Sequence, residues 1–285
     1  MKIAVLADIH ANHVALQECI DYALKREITT FIFLGDYVGD LAYPQKTMDL
    51  LYSLREQYEC YFVKGNKEDY WLNYRSGGKQ NWKEVDSTTG CLLYTYQNLK
   101  EQDFSFFSRM AHTLDIQIGD MPLFTICHGS PRSVSEKLLS YDKKCFEAIA
   151  NDKNELILCG HSHVRDKFVH AGKTITNPGS VGVPFNSKGK AQFLILHGEQ
   201  KKWVEEFVDI DYNIEQTIAE LYESGLVERA PGWCKVSEHI LKNGEISHSK
   251  VLYRAMDLCK QEVGACTWPD IPEKYWTQAI AEMQI

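Results

Sequence analysis

The sequence lacks the features of a membrane-spanning or secreted protein. No apolar run approaches the length that a helix needs to cross a bilayer. The apolar run at the N-terminus, residues 1–7, stops at Asp8 and is too short for the core of a signal peptide. It is typical of a first strand instead. We therefore expect a cytoplasmic chain that has no membrane contact.

A basic run or stripe is also missing, and the formal net charge of the 285 residues is −8. Such a chain is poorly suited to bind long nucleic acids or anionic lipid through broad electrostatic attraction. A small anionic substrate would need a local source of positive charge. The oligomeric state stays open.

Paired cysteine spacing is absent, although nine cysteines, an odd number, are scattered along the chain. Cys60, Cys127 and Cys159 lie inside apolar runs typical of strands, and no Cys-x-x-Cys motif occurs. We interpret the cysteines as reduced, buried thiols of a cytoplasmic protein. Repeats and low-complexity segments are absent too, and a hydrophobic fraction of 44% is ordinary for a globular protein.

What the sequence does contain is an alternation of strand and helix patterns. Short apolar runs rich in strand-forming residues predict strands at residues 2–7, 30–34, 60–63, 123–127, 155–159, 174–176 and 192–197. Helical spacing of apolar residues predicts helices at 12–27, with Asn12 as a possible cap, and at 44–58. This order predicts an α/β fold with parallel strands at its centre.

Two further regions have a helical pattern. Residues 70–114 contain the polar stretch Ser76-Gly77-Gly78-Lys79 and then helical runs, which we interpret as an insertion. Residues 210–285 contain three apolar stripes at helical spacing, which predict a helical C-terminal extension packed on a domain of residues 1–209.

Polar side chains able to bind metal follow the predicted strands at the point where each strand ends. They are Asp8, His10, Asp36, Asn66, His128, His161 and His163. Because the carboxyl ends of parallel strands open onto one crevice, we expect these side chains to converge there. Neighbouring glycines at 35, 65, 129 and 160 allow tight turns and close backbone approach.

Carboxylate, amide and imidazole donors suit manganese, iron, zinc or nickel better than calcium. Each motif alone has an ordinary explanation: Gly35-Asp36 is a common turn, and His128 alone fits a satisfied core histidine. It is their ordered appearance at successive strand ends that predicts a metal site. The other histidines complete no ligand pattern and are interpreted as surface or packing residues, and Asp40 and Glu68 as groups that support the ligands or are solvated.

The ordered motifs resemble the calcineurin-like metallophosphoesterase family. The motifs are Asp8-Ile9-His10, Gly35-Asp36, Gly65-Asn66-Lys67-Glu68, Cys127-His128-Gly129 and Gly160-His161-Ser162-His163. The resemblance runs from Met1 to about Asp209 and implies an α/β/β/α sandwich of two packed sheets. Segments 8–12, 128–132 and 177–182 look like the small bacterial phosphodiesterase branch, which includes hydrolases of diadenosine polyphosphates.

The resemblance also implies a division of the ligands between two metal ions. Asp8, His10 and His163 would hold one ion, and Asn66, His128 and His161 would hold the other. Asp36 would bridge them. The expected reaction is attack of a metal-bridging hydroxide on phosphorus, with Asp36, Asn66, Lys67 and His128 as the catalytic residues.

One position departs from the family pattern, because Lys67 stands where a proton-donating histidine is usual. A lysine is a poor acid near neutrality, but as a cation it still stabilises a phosphate. Lys67, Arg132 and the backbone at Gly129 are the predicted substrate contacts, with a solvated loop arginine as the equal alternative for Arg132.

The sequence leaves several functions open. The main prediction is a hydrolase of phosphodiester or phosphoanhydride bonds in small nucleotide-type substrates, such as dinucleoside polyphosphates. The alternatives are a nuclease, a protein phosphatase and a catalytically weak metal-binding regulator. Trp82, Tyr94, Tyr96 and Trp276 are candidates to stack on a nucleotide base, although core packing is the more common role for such residues.

Overall fold

Two five-stranded sheets form the centre of the computed structural model, which describes residues 1–78 and 81–285. Lys79 and Gln80, which belong to the predicted helical insertion, lie outside the described residues. The strands are β1 (Lys2–Leu6), β2 (Thr30–Phe33), β3 (Glu59–Phe62), β4 (Thr113–Ile116), β5 (Phe124–Cys127), β6 (Leu156–Leu158), β7 (Asp166–His170), β8 (Lys173–Asn177), β9 (Ala191–Glu199) and β10 (Lys202–Ile210).

Helices flank the sheets, which gives the predicted α/β/β/α sandwich. They are α1 (His13–Lys25), α2 (Pro44–Gln57), α3 (Asn66–Arg75), α4 (Gly90–Gln97), α5 (Glu101–Arg109), α6 (Lys143–Ile149), α7 (Ile214–Glu223), α8 (Leu226–Arg229), α9 (Pro231–Asn243), α10 (His248–Val263) and α11 (Glu273–Glu282). The side chain of Asn12 accepts a hydrogen bond from the backbone N–H of Ala15, so the predicted cap of α1 is confirmed. In the described residues, no helix has both the length and the apolar character that a membrane span requires.

Both sheets are mixed. The strand orders are β10-β9-β1-β2-β3 and β4-β5-β6-β8-β7. Strands β1, β2 and β3 are parallel to one another, as are β5, β6 and β8. The parallel strands predicted at the centre of the fold are therefore confirmed, and the remaining strands pair antiparallel with them or with each other.

The sequence prediction missed three strands, β4, β7 and β10, and each of them lies at the edge of a sheet. An edge strand is partly solvated and carries polar residues among its apolar ones, so it lacks the continuous apolar run of a central strand. In β10, for example, Lys202, Glu205 and Glu206 interrupt the apolar pattern. The sequence prediction also identified no separate helix at α3, α6, α8 or α9.

Side chains along β1 point alternately to the two faces of the first sheet, and each face packs against a different layer. Ile3 and Val5 pack in the core between the two sheets, whereas Ala4 and Leu6 face the helices on the outer side of the first sheet. A third cluster, which includes Cys127 and Ile157, covers the outer face of the second sheet. All nine cysteines are free thiols; seven are buried, as predicted, and Cys60 and Cys266 are partly buried.

The helices near residues 86–109 and those of the C-terminal part pack against each other. The indole N–H of Trp276, in α11, donates to Thr88 Oγ1 at 2.9 Å, and Trp276 is fully buried. Glu273 accepts hydrogen bonds from the backbone N–H and the hydroxyl of Ser87. The two helical regions that the sequence predicts separately thus share a core above the first sheet.

Candidate dinuclear metal site

The seven predicted ligand side chains come together at the carboxyl ends of the parallel strands. Asp8 and His10 follow β1, Asp36 follows β2, Asn66 begins α3 shortly after β3, His128 follows β5, and His161 and His163 follow β6. Both sheets therefore contribute to the site, as expected for a crevice beyond the strand ends.

Asp8, His10 and His163 form one group of donors. They offer one ligand atom each, and these atoms lie within 4.8 Å of one another. His163 Nε2 is 3.4 Å from Asp8 Oδ1 and 3.1 Å from His10 Nε2. This is the set that the resemblance assigns to one metal ion.

Asp36, His128 and His161 form a second group with the same spacing, within 4.8 Å. Asn66 joins this group, since its Oδ1 lies 3.1 Å from His128 Nε2. Asp36 lies between the two groups: its Oδ2 is 3.7 Å from His10 Nε2, and its Oδ1 is 3.5 Å from His128 Nε2. The position of Asp36 therefore fits a ligand shared by two ions.

The outer nitrogen of three imidazoles faces an oxygen atom, and the inner nitrogen faces the site. Nδ1 of His163 lies 2.9 Å from the carbonyl oxygen of Val183, and Nδ1 of His128 lies 2.7 Å from that of Leu34. Nδ1 of His10 faces Asp40 Oδ2 at 2.9 Å. Because a hydrogen-bond acceptor at Nδ1 fixes the proton there, the neutral rings of His128 and His163 direct the lone pair of Nε2 into the site. The contact of His10 with Asp40 is close but lacks the geometry of a hydrogen bond.

These lone pairs provide a test of whether metal ions fit. The Nε2 atoms of His10 and His163 face each other at 3.1 Å, and Nε2 of His128 faces the oxygens of Asn66 and Asp36. When these rings are in the neutral form that binds a metal, acceptors face acceptors and repel, and the buried carboxylates of Asp8 and Asp36 add negative charge. Cations among these donors resolve both problems, so the donor set fits two metal ions.

Backbone strain is concentrated in the same loops. Five of the seven predicted ligands have positive φ: Asp8 (53°), His10 (50°), Asp36 (53°), His161 (64°) and His163 (58°). Residues other than glycine rarely adopt this conformation, and such strain persists only where the surroundings enforce it. The fold thus holds these residues in an unfavourable backbone conformation that directs their side chains into the site.

Glu68 supports the Asp36 loop. Its carboxylate accepts hydrogen bonds from the backbone N–H groups of Asp36 (3.0 Å), Tyr37 (3.0 Å) and Gly65 (2.8 Å). Burial and the nearby Asp36 carboxylate raise the pKa of Glu68 to about 7, against the opposing effect of those hydrogen bonds. Glu68 is fully buried, so the solvated alternative for this residue is wrong.

Gly65 is required by close packing against Asp36. A Cβ atom at position 65 would lie 2.2 Å from Asp36 Oδ1, and such a contact has no room for any side chain. The segment 177–182 holds the first loop, since Ser180 Oγ donates to the carbonyl of Asp8 at 2.7 Å and the Gly182 N–H donates to it at 3.0 Å.

Asp40 connects Lys67 to the ligand His10. Lys67 Nζ donates to Asp40 Oδ1 at 2.7 Å, while Asp40 Oδ2 faces His10 Nδ1. Burial opposes the charge on Lys67, but Asp40 and Asp36 outweigh it and raise the pKa of Lys67. Burial likewise opposes the charge on Asp40, yet Lys67 and His10 hold the pKa of Asp40 well below its usual range. Asp40 is buried, so it is not a solvated group.

Mutual charge also shifts the pKa values of the ligands. Burial disfavours the Asp8 carboxylate, but His163, His128 and His10 outweigh it and lower the pKa of Asp8. Burial and the neighbouring His128 lower the pKa of His161 to about 4. Burial opposes protonation of His163 as well, but the Asp8 carboxylate raises its pKa. The site is therefore one strongly coupled set of charges.

A cavity of about 610 Å³ opens above the donors. Its floor includes His10, Asp36, Asn66, His161 and His163. The C-terminal extension supplies much of its wall through Trp233, Ser247, His248, Ser249, Leu252, Tyr253 and Trp268. This volume is in the usual range for small-molecule sites, about 300–1,000 Å³.

The predicted substrate contacts differ in where they lie. Lys67 lines the cavity. Gly129 and Arg132 are not among the described residues of the cavity lining, and the guanidinium of Arg132 binds the carboxylate of Glu136. Lys137, which the sequence analysis did not single out, lines the cavity and has no ion-pair partner in the described part of the chain.

The aromatic residues proposed to stack on a base are in the core instead. Trp82 stacks on Tyr74 with ring centroids 4.2 Å apart, Tyr96 packs edge-on to Tyr74, and Trp276 is fully buried. Tyr94 is buried as well, and none of the four is among the described residues that line the cavity. Tyr96 and Trp276 lie in apolar stripes at helical spacing, and burial is the common role of such stripes.

His248 is a site neighbour that sequence reasoning missed. The ring is stacked on Trp233 at 4.2 Å, and its Nε2 lies 2.8 Å from Ser237 Oγ. Burial lowers the pKa of His248 to about 3. The interpretation of His248 as a packing residue is correct. Nothing in the sequence indicated that His248 lines the cavity, because this residue lies far along the chain from every motif.

The chain belongs to the calcineurin-like phosphoesterase superfamily, whose domain model matches residues 1–201. An uncharacterized protein of Methanocaldococcus jannaschii is 27% identical over an alignment of 248 residues, which covers 81% of this chain and 94% of that protein.

Solved structures show the same fold. A metallophosphoesterase from Sphaerobacter thermophilus has a TM-score of 0.67 at 22% identity, and a hypothetical protein from Pyrococcus horikoshii has a TM-score of 0.71 at 21% identity. Each alignment covers 86% of this chain and 99% of the other chain, which is more of this chain than the family model matches. Members of the superfamily typically depend on two metal ions, in agreement with the two groups of donors.

Proposed function

We propose that the chain is a metal-dependent phosphoesterase that hydrolyses phosphodiester or phosphoanhydride bonds of small nucleotide-type substrates, such as dinucleoside polyphosphates. The observation that carries this proposal is the pair of donor groups that share Asp36 at the floor of a cavity. The finer assignment, to the small bacterial phosphodiesterase branch, rests on the likeness of segments 8–12, 128–132 and 177–182.

Each donor group has a defined role in this proposal. Asp8, His10 and His163 hold one metal ion, Asn66, His128 and His161 hold the second, and Asp36 serves both. When bound, two ions such as manganese, iron, zinc or nickel supply Lewis acidity for the phosphate and lower the pKa of the attacking water.

Lys67 supplies positive charge to the phosphate. Its ammonium lies at the cavity and is held by Asp40 at 2.7 Å, so it is positioned before substrate binds. Lys137 is a second cation on the cavity lining, and it suits a further phosphate group of the substrate. This position favours Lys137 over Arg132, whose guanidinium is already paired with Glu136.

The kind of leaving group that the site favours follows from the chemistry of Lys67. Lys67 is paired with a carboxylate and stays protonated, so it gives up a proton poorly. The leaving groups of phosphoanhydrides and aryl esters are stable anions, so they need no proton when the bond to phosphorus breaks. Such substrates should therefore react faster than simple alkyl phosphate monoesters.

The test is a substrate screen with manganese-loaded protein. Diadenosine tetraphosphate, bis(4-nitrophenyl) phosphate, an alkyl phosphate monoester, single-stranded DNA and a phosphopeptide are compared at equal concentration, with Asp36→Asn as the negative control. We expect turnover of the first two and little or none of the others. Preferred cleavage of DNA or phosphopeptide would favour a nuclease or a protein phosphatase, and no turnover of any substrate would favour a metal-binding regulator.

A further inference from the structure

Exposed aromatic side chains are concentrated around one cavity. Five aromatic residues have large exposed fractions: Tyr70 (39%), Tyr141 (81%), Tyr222 (53%), Tyr253 (65%) and Trp268 (42%). Four of these five, all except Tyr222, line the cavity above the metal donors. Exposed apolar surface that is gathered in one place rather than scattered marks a binding surface.

The four residues come from separate parts of the fold. Tyr70 lies on α3, and Tyr141 lies in the loop before α6. Tyr253 lies on α10, and Trp268 lies between α10 and α11. The cavity therefore has aromatic surface on the side of the catalytic domain and on the side of the C-terminal extension.

The chemistry of the cavity changes from floor to wall. The floor consists of carboxylate and imidazole donors with Lys67 beside them, which suits a phosphate bound through metal ions. The aromatic residues of the wall offer flat apolar faces and, for the tyrosines, a polar tip. A ligand that satisfies both parts carries a phosphate and a planar ring.

We propose that Tyr253 and Trp268 form a subsite for the base of a nucleotide substrate, so that the C-terminal extension selects nucleotides over other phosphate esters. This inference rests on the proposed phosphoesterase function and names the part of the substrate that the extension binds. Stacking between a base and an aromatic side chain is worth enough to change affinity about fivefold or more per base. It tolerates different bases, because each base has an aromatic face.

The experiment compares phosphate ligands with and without a base. The affinities of manganese-loaded protein for AMP and for ribose 5-phosphate are measured by isothermal titration calorimetry, with phenyl phosphate as a ligand that has a ring but no nucleoside. We expect wild-type protein to bind AMP about fivefold or more tightly than ribose 5-phosphate. AMP should also bind more tightly than phenyl phosphate, since a base presents a larger face.

Variants locate the effect. Trp268→Ala and Tyr253→Ala should each reduce the ratio of the AMP affinity to the ribose 5-phosphate affinity by about fivefold, whereas Trp268→Phe should keep most of it, because it retains an aromatic face. Tyr222→Ala is the matched control, since Tyr222 is an exposed tyrosine away from this cavity, and it should leave the ratio unchanged.

Three results would overturn the inference: a ratio near one in the wild type, an unchanged ratio in both alanine variants, or equal losses of affinity for both ligands. Phenyl phosphate that binds as tightly as AMP would overturn the assignment to a base. Failure of the phosphoesterase function looks different, because no substrate in the screen would then be hydrolysed, whatever the affinity ratio.

Discussion

At the scale of single residues, Asp40 is not one of the proposed metal ligands, but it contacts two residues of the site. Its carboxylate contacts both His10 Nδ1 and Lys67 Nζ, and it is buried. A partner of this kind fixes the orientation of a ligating imidazole and increases its basicity.

We expect Asp40→Asn to weaken metal binding by about tenfold to a hundredfold, because the carboxylate that orients His10 loses its charge. The measurement is a competition titration against a fluorescent chelator, which reads metal affinity without activity. Asp103→Asn is the control, since Asp103 is a fully buried carboxylate bound to Tyr52 and Gln45 instead. Equal affinities in Asp40→Asn and wild type would show that Asp40 does not position His10.

Asp36→Asn and His128→Ala should each lower turnover by orders of magnitude and reduce the metal content below two ions per chain, because each removes a donor of the proposed site. Elemental analysis and a circular dichroism spectrum separate loss of metal from loss of fold. The control is His112→Ala, because His112 is exposed and pairs with Asp69 away from the donors. Near-normal turnover in either ligand variant would remove that residue from the site.

The role of Lys67 can be tested through the dependence of the hydrolysis rate on the pKa of the leaving group. We expect wild-type rates to fall steeply as the pKa of the leaving group rises across a series of phosphodiesters. Lys67→Ala should be slower throughout but keep the same slope, since an ammonium paired with Asp40 at 2.7 Å acts as a charge and not as an acid. Rates measured across the series with saturating metal provide the test. A steeper slope in the variant would mean that Lys67 donates the proton.

At the scale of elements, the C-terminal helices are part of the site as well as of the core. Helix α9 carries Trp233 and Ser237, and α10 begins at His248, so the extension closes one side of the cavity. Trp276, on α11, anchors this layer through Thr88 to the turn that precedes α4.

Trp276→Ala should therefore destabilise the protein by about 3–5 kcal/mol, because it creates a large cavity in a fully buried contact. Urea denaturation followed by circular dichroism measures this change. Tyr222→Ala, at an exposed tyrosine, should change the stability by no more than about 0.5 kcal/mol. A similarly small effect of Trp276→Ala would mean that α11 is not anchored in this way.

The strands show which elements a sequence pattern detects. The seven predicted strands match β1, β2, β3, β5, β6, β8 and β9 to within two residues at each end. The missed strands β4, β7 and β10 are edge strands, in which polar residues interrupt the apolar run. The predicted strands have a continuous apolar run, and this includes β3, which also lies at a sheet edge.

At the scale of the whole molecule, metal binding should couple to stability, because the donors come from loops of both sheets. Manganese at about a hundred times its dissociation constant should stabilise the fold by about 2.7 kcal/mol. Thermal unfolding of chelator-treated protein, with and without added manganese, measures the effect. His161→Ala should gain less from manganese than wild type, and equal gains would argue against His161 as a ligand.

The sequence by itself was enough to predict the fold class and the convergence of the proposed donors. Ligand-type residues such as Asp8 and His128 follow apolar runs, and the end of a parallel strand has a fixed place in an α/β sheet. Local order along the chain was therefore enough to predict that these side chains meet.

Only the tertiary structure decided what surrounds the donors. Asp40 contacts His10, and Tyr253 and Trp268 reach the cavity, through packing between segments that are far apart in the chain. Tyr96 and Trp276 lie in stripes whose helical spacing would be the same for a ligand-facing side as for a core-facing one, and the structure places both in the core. A periodic pattern specifies which face of a helix is buried, but the partner of that face depends on how distant elements dock.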